Sequence, residues 1–142
     1  MKDVYLAGPI AGLTYEEATK WRTDIAVRLR PHGCFDPLQG VSPWEGRLAG
    51  STLEQSSLTT PRGIVASDFF FTTRARVLLA DFSTAVRPSF GTVIECAWAW
   101  QARNPVVAIL DSIHDHTMLR ELCDFVVSDP DEAEFTIRKL LQ

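Results

Sequence analysis

The sequence predicts a doubly wound α/β fold, in which about five parallel strands carry helices on both faces of the sheet. Two observations predict it. The predicted strands are short and apolar throughout, as in strands buried on both faces, and they alternate with longer segments of helical periodicity. Because parallel strands are usually joined by a helix, this alternation predicts a parallel sheet. At 142 residues, of which 46% are hydrophobic, we expect one domain spanning 1–142 with a compact core.

The predicted elements follow one another in a regular order. Each predicted strand is a short apolar run, and each predicted helix is longer with apolar residues near helical spacing. Thr14 and Glu17 form a T-x-x-E capping box that opens the first helix. The predicted strands are 3–8, 33–37, 77–82, 105–110 and 125–128, and the predicted helices are 14–30, 62–76, 92–104, a short one within 111–123 and 129–142.

Two helices and one loop are distinctive in composition. In the helix 62–76, Ile64, Val65 and Phe69, with Thr72 as a further candidate, fall on one face. The helix 92–104 is apolar nearly all round, which indicates packing in the core or at a subunit interface and hence an oligomer. The loop 39–60 is long for a compact domain, and such loops are typically lids or binding loops.

Composition and charge exclude several classes of protein. The formal net charge is −4 and no Lys/Arg cluster is present, so a partner of long nucleic acid is not expected. The apolar runs are too short for a signal peptide or a membrane span, which predicts a cytoplasmic protein with no membrane contact. The three cysteines are isolated, which argues against a disulfide framework and a zinc site and favours small buried thiols.

Two loops are expected to meet at the carboxyl edge of the sheet, where ligands bind in doubly wound folds. One is "GPIAG" after the first strand, and the other is "STAVRPSFG" after "VLLADF". The spacing of Gly8 and Gly12 fits neither G-x-G-x-x-G nor a Walker loop, which disfavours classical dinucleotide or ATP binding. The first loop is either a plain tight turn or a bare backbone that a sugar or phosphate approaches closely.

Glu95 is an acidic residue inside the apolar run "TVIECAWAW". Because Gly91 is expected to break the chain just before the helix, we expect Glu95 in about the first turn, near the positive end of the helix dipole. That position helps to keep a carboxylate ionised, as a nucleophile requires. A capping or solvated glutamate fits the same position, so the local sequence leaves both readings open.

Other polar residues are candidates for the same crevice. Asp68 precedes "FFF", and a partly buried carboxylate beside aromatic rings would have a raised pKa and could donate a proton, although a solvated helix residue also fits. Asp81 and Tyr5, near the ends of predicted strands, either face the crevice or form structural hydrogen bonds. The segment "HDH" (114–116) predicts a surface loop rather than a metal site, because adjacent residues rarely point at one ion.

The segments "YLAGPI", "VLLADF" and "PSFGTVIECAWAW", together with Asp68, resemble the nucleoside 2-deoxyribosyltransferase family, including its branch of deoxynucleoside 5'-monophosphate N-glycosidases. The resemblance covers nearly the whole chain in the expected order. It implies a flavodoxin-like fold in a homodimer or larger homo-oligomer, with sites completed by the neighbouring subunit, and it implies no metal or organic cofactor. The loop 39–60 would shape the base pocket, where Trp44 either stacks on a base or packs the loop down.

The resemblance also implies a catalytic role for each of three residues. Glu95 would attack the anomeric carbon, Asp68 would assist departure of the base, and Tyr5 would orient the nucleophile. A covalent glycosyl-enzyme would form and pass its sugar to another nucleobase or to water, as in retaining glycosidases. The residues expected to contact the small nucleoside or nucleotide are Gly8, Pro9, Ile10, Asp81, Ser89, Gly91 and His116.

Two positions give opposite signals about a 5'-phosphate. Ser89 stands where transferases of the family have an Asp that binds the sugar 5'-hydroxyl and where the monophosphate glycosidases have Ser, so Ser89 and the Gly91 backbone favour a phosphate. Ala11 stands where those glycosidases carry a phosphate-binding Arg, so the first loop offers no cation. His116, in a segment that resembles the one reaching into the neighbouring subunit's site, could supply the charge.

Other functions remain open on the same sequence. One is an N-glycosidase that only hydrolyses, and another is a non-catalytic nucleotide sensor on the same fold. A flavodoxin-like redox or signalling domain is disfavoured, because the loop after the first strand lacks a phosphate-cradling Ser/Thr run.

Overall fold

The structure is a computed structural model that describes residues 2–49 and 56–142. Over these residues the strands are β1 (Val4–Ala7), β2 (Cys34–Phe35), β3 (Val77–Asp81), β4 (Val106–Ile109) and β5 (Phe125–Val127). The helices are α1 (Tyr15–Arg28), α2 (Pro61–Arg74), α3 (Phe90–Gln101), α4 (Thr117–Leu122) and α5 (Pro130–Leu140). The strands form one sheet in the order β2-β1-β3-β4-β5, and every neighbouring pair is parallel. The predicted doubly wound α/β fold is confirmed.

The sheet is covered on both faces, which explains why its central strands are continuous apolar runs. Along β1, Val4 and Leu6 pack with α1 and α5, whereas Tyr5 and Ala7 pack with α3 and the end of α2. The register from Val4↔Val77 to Ala7↔Ala80 continues this alternation into β3. Two apolar cores therefore lie back to back on the sheet. None of the helices in the described part of the chain has the length and apolar character needed to span a membrane.

The strand order reverses between β1 and β3, and the loops that follow these strands meet there. A Cβ on Gly8 would lie 2.6 Å from the Trp21 ring and 2.9 Å from the backbone oxygen of Asp81. The chain after β1 thus crosses so close to the end of β3 that only glycine fits. Gly12 has φ +82°, a left-handed conformation that glycine adopts without strain.

Helix boundaries confirm one expectation and correct another. The capping box is present, because the Thr14 hydroxyl accepts from the Glu17 N–H and the Glu17 carboxylate accepts from the Thr14 N–H. However, α3 begins at Phe90, before Gly91 rather than after it. Gly91 lies in the first turn of the helix, and Glu95 therefore lies in the second turn and not the first.

The predicted face of α2 is buried only in part. Val65 is 55% exposed and Phe69 46% exposed, whereas Thr72 of the same predicted face is fully buried and Asp68 is partly buried. The inward side of this helix carries polar as well as apolar residues, so hydrophobicity identifies it only in part. The Phe69 ring instead packs edge-on against Trp98 of α3, with ring centroids 5.3 Å apart.

The first half of the loop 39–60 is fastened to the loop that follows β1. The Gly12 N–H donates to the Leu48 oxygen at 2.8 Å, and the Leu48 N–H donates to the Leu13 oxygen at 2.9 Å. Trp44 donates its Nε1–H to the Leu13 oxygen at 3.1 Å, so it packs the loop down, which is one of the two roles left open by the sequence. Residues 50–55 of this loop lie outside the described residues.

Candidate active site

Tyr5, Asp68 and Glu95 come together on the side of the sheet that α2 and α3 cover. Tyr5 is the second residue of β1 and is fully buried, and Glu95 of α3 is only 8% exposed. The charges of Glu95 and Asp68 both raise the pKa of Tyr5, after the larger effect of burial. The Tyr5 hydroxyl therefore keeps its proton and lies between two carboxyl groups from different helices.

Glu95 and Asp68 both have raised pKa values, because both carboxyl groups are removed from water. Burial, followed by the Asp68 carboxylate, raises the pKa of Glu95 to about 8, while Tyr5 and Arg22 oppose that rise. Burial raises the pKa of Asp68 to about 6, as expected for a carboxylate beside aromatic rings. The expectation that the helix dipole keeps Glu95 ionised is wrong, because Glu95 lies past the first turn and is desolvated.

Several polar atoms at this place lack a partner with hydrogen-bond geometry. Among the described residues these include the Tyr5 hydroxyl, Thr72 Oγ1 and Glu95 Oε2, all of them buried. An unsatisfied buried polar atom costs about 1–3 kcal/mol, so a cluster of them lowers the stability of the folded protein. Such clusters, together with perturbed pKa values, are typical of functional sites.

Arg22 is a buried cation beneath this cluster, and sequence reasoning missed it. Its side chain is fully buried, Nη2 donates to the Gly8 oxygen at 2.9 Å, and Nε lies 3.5 Å from Asp36 Oδ1. Burial lowers the pKa of Arg22, while the Asp36 and Glu95 carboxylates oppose that shift. The available signal was its spacing, since Ala18, Arg22 and Ile25 are the residues that α1 buries.

A cavity of about 830 Å³ opens beside Asp68. Its wall includes the Phe35 and Phe71 rings, which stack with centroids 3.9 Å apart, and Tyr5 stacks on Phe35 at 5.3 Å. The loop 39–60 contributes to it from both sides of its undescribed part. The lining residues are Ile10, 35–42, Ser56, Leu58, Thr59, Ile64, Ser67, Asp68 and Phe71. A separate groove of about 550 Å³ around Trp100 and Asn104 does not include any of the candidate catalytic residues.

His114 holds the start of α3, although its segment was expected to be a surface loop. The ring is only 4% exposed and packs on Phe82 with centroids 4.4 Å apart. The Ser89 N–H donates to His114 Nε2 at 2.8 Å, so the ring proton is on Nδ1 and is donated to Asp111 Oδ1 at 2.6 Å. The surface-loop expectation is wrong for this residue, because its two ring nitrogens tie the loop after β4 to the helix that carries Glu95.

Arg87 supplies a cation beside the first loop, which sequence reasoning also missed. A Cβ on Gly12 would lie 3.6 Å from Arg87 Nε and 3.8 Å from its Cζ. The guanidinium reaches this place from the loop after β3. Ser89 is the N-cap of α3, and its hydroxyl lies 2.8 Å from that of Thr92. A Cβ on Gly91 would meet no atom of another described element within 4 Å.

The other residues predicted to contact the substrate lie in different environments. Gly8 and Pro9 are buried, and Ile10 lines the cavity. Asp81 Oδ1 accepts from the Ser83 N–H and hydroxyl, and its side chain borders a small cavity on the α1 and α5 face, so its structural role is supported. His116 is exposed and caps α4 by accepting from the Met118 N–H at 3.1 Å. The substrate contacts assigned to these residues stay predictions.

The cysteines form no disulfide in the described part of the chain. Cys96 and Cys123 are buried and free, and Cys34 is half-buried and free. Within residues 2–49 and 56–142, no three His, Cys, Asp or Glu side chains are grouped so as to hold a metal ion.

Comparison with solved structures finds several proteins of the same fold. A conserved protein from Enterococcus faecalis V583 aligns with a TM-score of 0.68 at 16% identity over 98% of each chain. A 2-deoxyribosyltransferase from Bacillus psychrosaccharolyticus aligns at 0.64 and 15% identity over 95% of each chain. A CMP N-glycosidase from Clostridium botulinum aligns at 0.60 and 15% identity over 97% of this chain and 98% of its own. The sequence matches no protein-family model and no curated protein. The chain therefore shares the fold of these proteins.

Proposed function

We propose that this protein is an enzyme that cleaves the N-glycosidic bond of a 2'-deoxyribonucleoside or its 5'-monophosphate through Glu95. The observation that carries the proposal is the buried cluster of Tyr5, Asp68 and Glu95 beside a cavity that β2, the loop after it and α2 line. The fold neighbours support it, since two of them are a 2-deoxyribosyltransferase and a CMP N-glycosidase.

The two carboxyl groups have separate roles in the proposed reaction. The Glu95 carboxylate attacks the anomeric carbon as the C–N bond to the base breaks, and Asp68 gives its proton to the departing nitrogen. A second base or a water molecule then displaces Glu95 and returns a proton to Asp68, so the anomeric configuration is retained. Tyr5 orients Glu95 through its protonated hydroxyl.

The two carboxyl groups share one proton over a range of pH. Burial raises the pKa of Glu95 to about 8 and that of Asp68 to about 6, so the pair carries one proton between these values. Attack requires this proton on Asp68 and the negative charge on Glu95. The Tyr5 hydroxyl lies close enough to both carboxyl groups to lower both pKa values, and it would stabilise the ionised Glu95.

A 5'-monophosphate is the form of the substrate that the charges favour. Arg87 approaches the first loop and supplies the positive charge that Ala11 does not, and Ser89 presents a hydroxyl rather than a carboxylate at the start of α3. Replacing Arg87 by Ala, or Ser89 by Asp, is expected to lower kcat/KM for phosphorylated substrates more than for unphosphorylated ones. Equal losses for both forms would contradict the assignment.

The protein acts as a homo-oligomer in this proposal. Large apolar side chains are exposed on two adjacent helices, Val65 and Phe69 on α2 and Phe90, Ile94 and Trp100 on α3. A second copy would cover them and bring its own α4 segment near the site. Light scattering on the purified protein measures the oligomeric state, and a stable monomer would contradict this part of the proposal.

Base release is the direct test of the activity. The protein is incubated with deoxynucleosides and deoxynucleoside 5'-monophosphates, with and without a second free base, and products are separated by chromatography. Exchange of bases identifies a transferase, and free sugar or sugar phosphate identifies a hydrolase. Tight nucleotide binding with no product over hours would identify a sensor and overturn the proposal, as would unchanged turnover by the Glu95→Ala variant.

A further inference from the structure

Carboxyl groups dominate the charge of the cavity wall beside Asp68. Among the described residues that line it, Asp36 and Asp68 are the charged ones, and none is Lys, Arg or His. The Lys2 ammonium lies 5.6 Å from the centroid of the Phe35 ring and donates to Gln39 Oε1, but Lys2 is not a lining residue. An aromatic cavity with an acidic wall favours ligands that present N–H groups.

Asp36 is held firmly in this wall. Its Oδ1 accepts from the Leu38 N–H at 2.8 Å and lies 3.5 Å from Arg22 Nε. Arg22 is itself fixed by its bond to the Gly8 oxygen and by complete burial. Asp36 also directly follows Phe35, whose ring is stacked on Phe71. A carboxylate fixed in this way keeps its position when the ligand changes.

Several other polar side chains in the described part of the wall already have partners. The Ser67 hydroxyl donates to the Ile64 oxygen at 3.3 Å, the Thr59 hydroxyl donates to the Ser56 oxygen at 3.2 Å, and Gln39 Oε1 accepts from Lys2. An ionised carboxylate only accepts. Because Asp68 is assigned to the departing ring nitrogen, Asp36 is the remaining charged residue among those described in the wall, and it accepts from an amino substituent but not from a keto oxygen.

We propose that Asp36 makes the enzyme select bases with an exocyclic amino group at the far end of the ring, such as cytosine and adenine, over their keto counterparts uracil and hypoxanthine. The inference rests on the proposed function and names the substrate class for the same site. The amino N–H donates to the Asp36 carboxylate. A keto oxygen in that place would face the carboxylate without a proton between them, which leaves both acceptors unpaired.

A matched pair of substrates tests the selection. Deoxycytidine 5'-monophosphate and deoxyuridine 5'-monophosphate differ only by amino or keto at one ring carbon. The amino substrate is expected to have a kcat/KM about 10- to 100-fold higher, the usual value of a hydrogen bond to a charged group. A ratio near one, or a preference for the keto substrate, would overturn the inference.

The Asp36→Asn variant tests the residue. Asparagine keeps an oxygen for the Leu38 N–H and offers an amide N–H to a keto oxygen, so the ratio is expected to fall to about one or to invert. The control is Asp131→Asn, which removes the same charge from an exposed residue of α5 that pairs with Arg28. An unchanged ratio in Asp36→Asn, or an equal change in both variants, would overturn the assignment.

Free-base binding separates this inference from the proposed function. Calorimetry measures the Kd of cytosine and of uracil for the wild-type protein and for Asp36→Asn, with no need for turnover. Tighter binding of cytosine that is lost in Asp36→Asn supports the selection even if no substrate is cleaved, in which case only the proposed function fails. Equal affinities, or no binding of either base, would overturn the selection while leaving any base release intact.

Discussion

One glutamate on each face of the sheet shows how different the two environments are, in hydrogen bonding and in the direction of the pKa shift. On the α1 and α5 face, Glu134 accepts from Arg28 Nε at 2.8 Å and from Arg138 Nε at 3.1 Å, and these bonds lower its pKa. On the α2 and α3 face, Glu95 Oε2 has no hydrogen-bond partner among the described residues, and burial raises the pKa of Glu95 to about 8. The first carboxylate is stabilised by its two arginine partners, and the second, which lacks such partners, is the one that we propose as the nucleophile.

This difference does not come from a lack of cations. Arg22 lies close enough to Glu95 to influence its pKa, but its donors are directed to the Gly8 and Ala18 oxygens and towards Asp36. A cation bonded directly to Glu95 would stabilise the carboxylate and weaken it as a nucleophile. Unpaired buried groups of this kind are expected where chemistry, rather than packing, determines the residue.

The largest expected effect separates the two glutamates by activity. Glu95→Gln removes the nucleophile and should lower kcat more than about 10⁴-fold. Glu134→Gln is the matched control on the other face. It should change kcat by less than about twofold, because Glu134 lies on the opposite face of the sheet from the candidate site and substitutions at such positions have small effects. Chromatography of the released base measures kcat for both variants. Comparable losses of kcat in the two variants would contradict the catalytic role proposed for Glu95.

Asp68→Asn sharpens the comparison by testing the acid. The variant should lose about 10²- to 10⁴-fold in kcat with ordinary bases, because the departing nitrogen is no longer protonated. The loss should largely disappear with 7-methyl-2'-deoxyguanosine, whose base carries a positive charge and leaves without a proton. An equal loss for both substrates would show that Asp68 does not act as the acid.

The pH profile of kcat/KM should be bell-shaped, with limbs near pH 6 and pH 8. Below about 6 both Glu95 and Asp68 are protonated and no nucleophile is present, and above about 8 both are ionised and no acid remains. Each limb should approach tenfold per pH unit. A constant kcat/KM from pH 5 to pH 9 would contradict the shared proton.

The smallest expected effects are on stability, and they have opposite signs. The folded-state pKa of Glu95, about 8, lies above its ordinary value of 4.5. Between these values the unfolded state has already lost the proton that the folded state keeps, so stability falls as pH rises from 4.5 to about 8. At pH 8.5, Glu95→Gln should raise the free energy of unfolding on the order of 1–2 kcal/mol. Glu134→Gln should lower it by about 0.5–1 kcal/mol. Urea denaturation measures both, and a destabilised Glu95→Gln would contradict the comparison.

The sequence predicts the fold well because local signals determine the order of its elements. Apolar runs, turn residues and the Thr14–Glu17 capping box all agree with the observed helices and strands. The buried side of α2 was predicted only in part, because Asp68 and Thr72 lie on it with apolar residues and polarity is normally a sign of exposure. A functional face thus violates the pattern by which core faces are found.

The sequence names three residues of the candidate site but does not predict their environment. Tyr5, Asp68 and Glu95 were chosen from motifs, and the structure brings them together. The roles of Arg22, Arg87 and His114 depend on contacts between residues far apart in the chain, which no local pattern reports. The raised pKa of Glu95 was missed for the same reason, since burial by neighbouring elements is its main cause.

Trapping of the glycosyl-enzyme tests the central claim most directly. A slow substrate with fluorine at the 2-position of the sugar destabilises the oxocarbenium-like transition states and is expected to leave its sugar on the protein. Peptide mass spectrometry should then find the fluorosugar attached to Glu95, with one equivalent of base released. Base release with no adduct, or an adduct on a residue other than Glu95, would contradict the account.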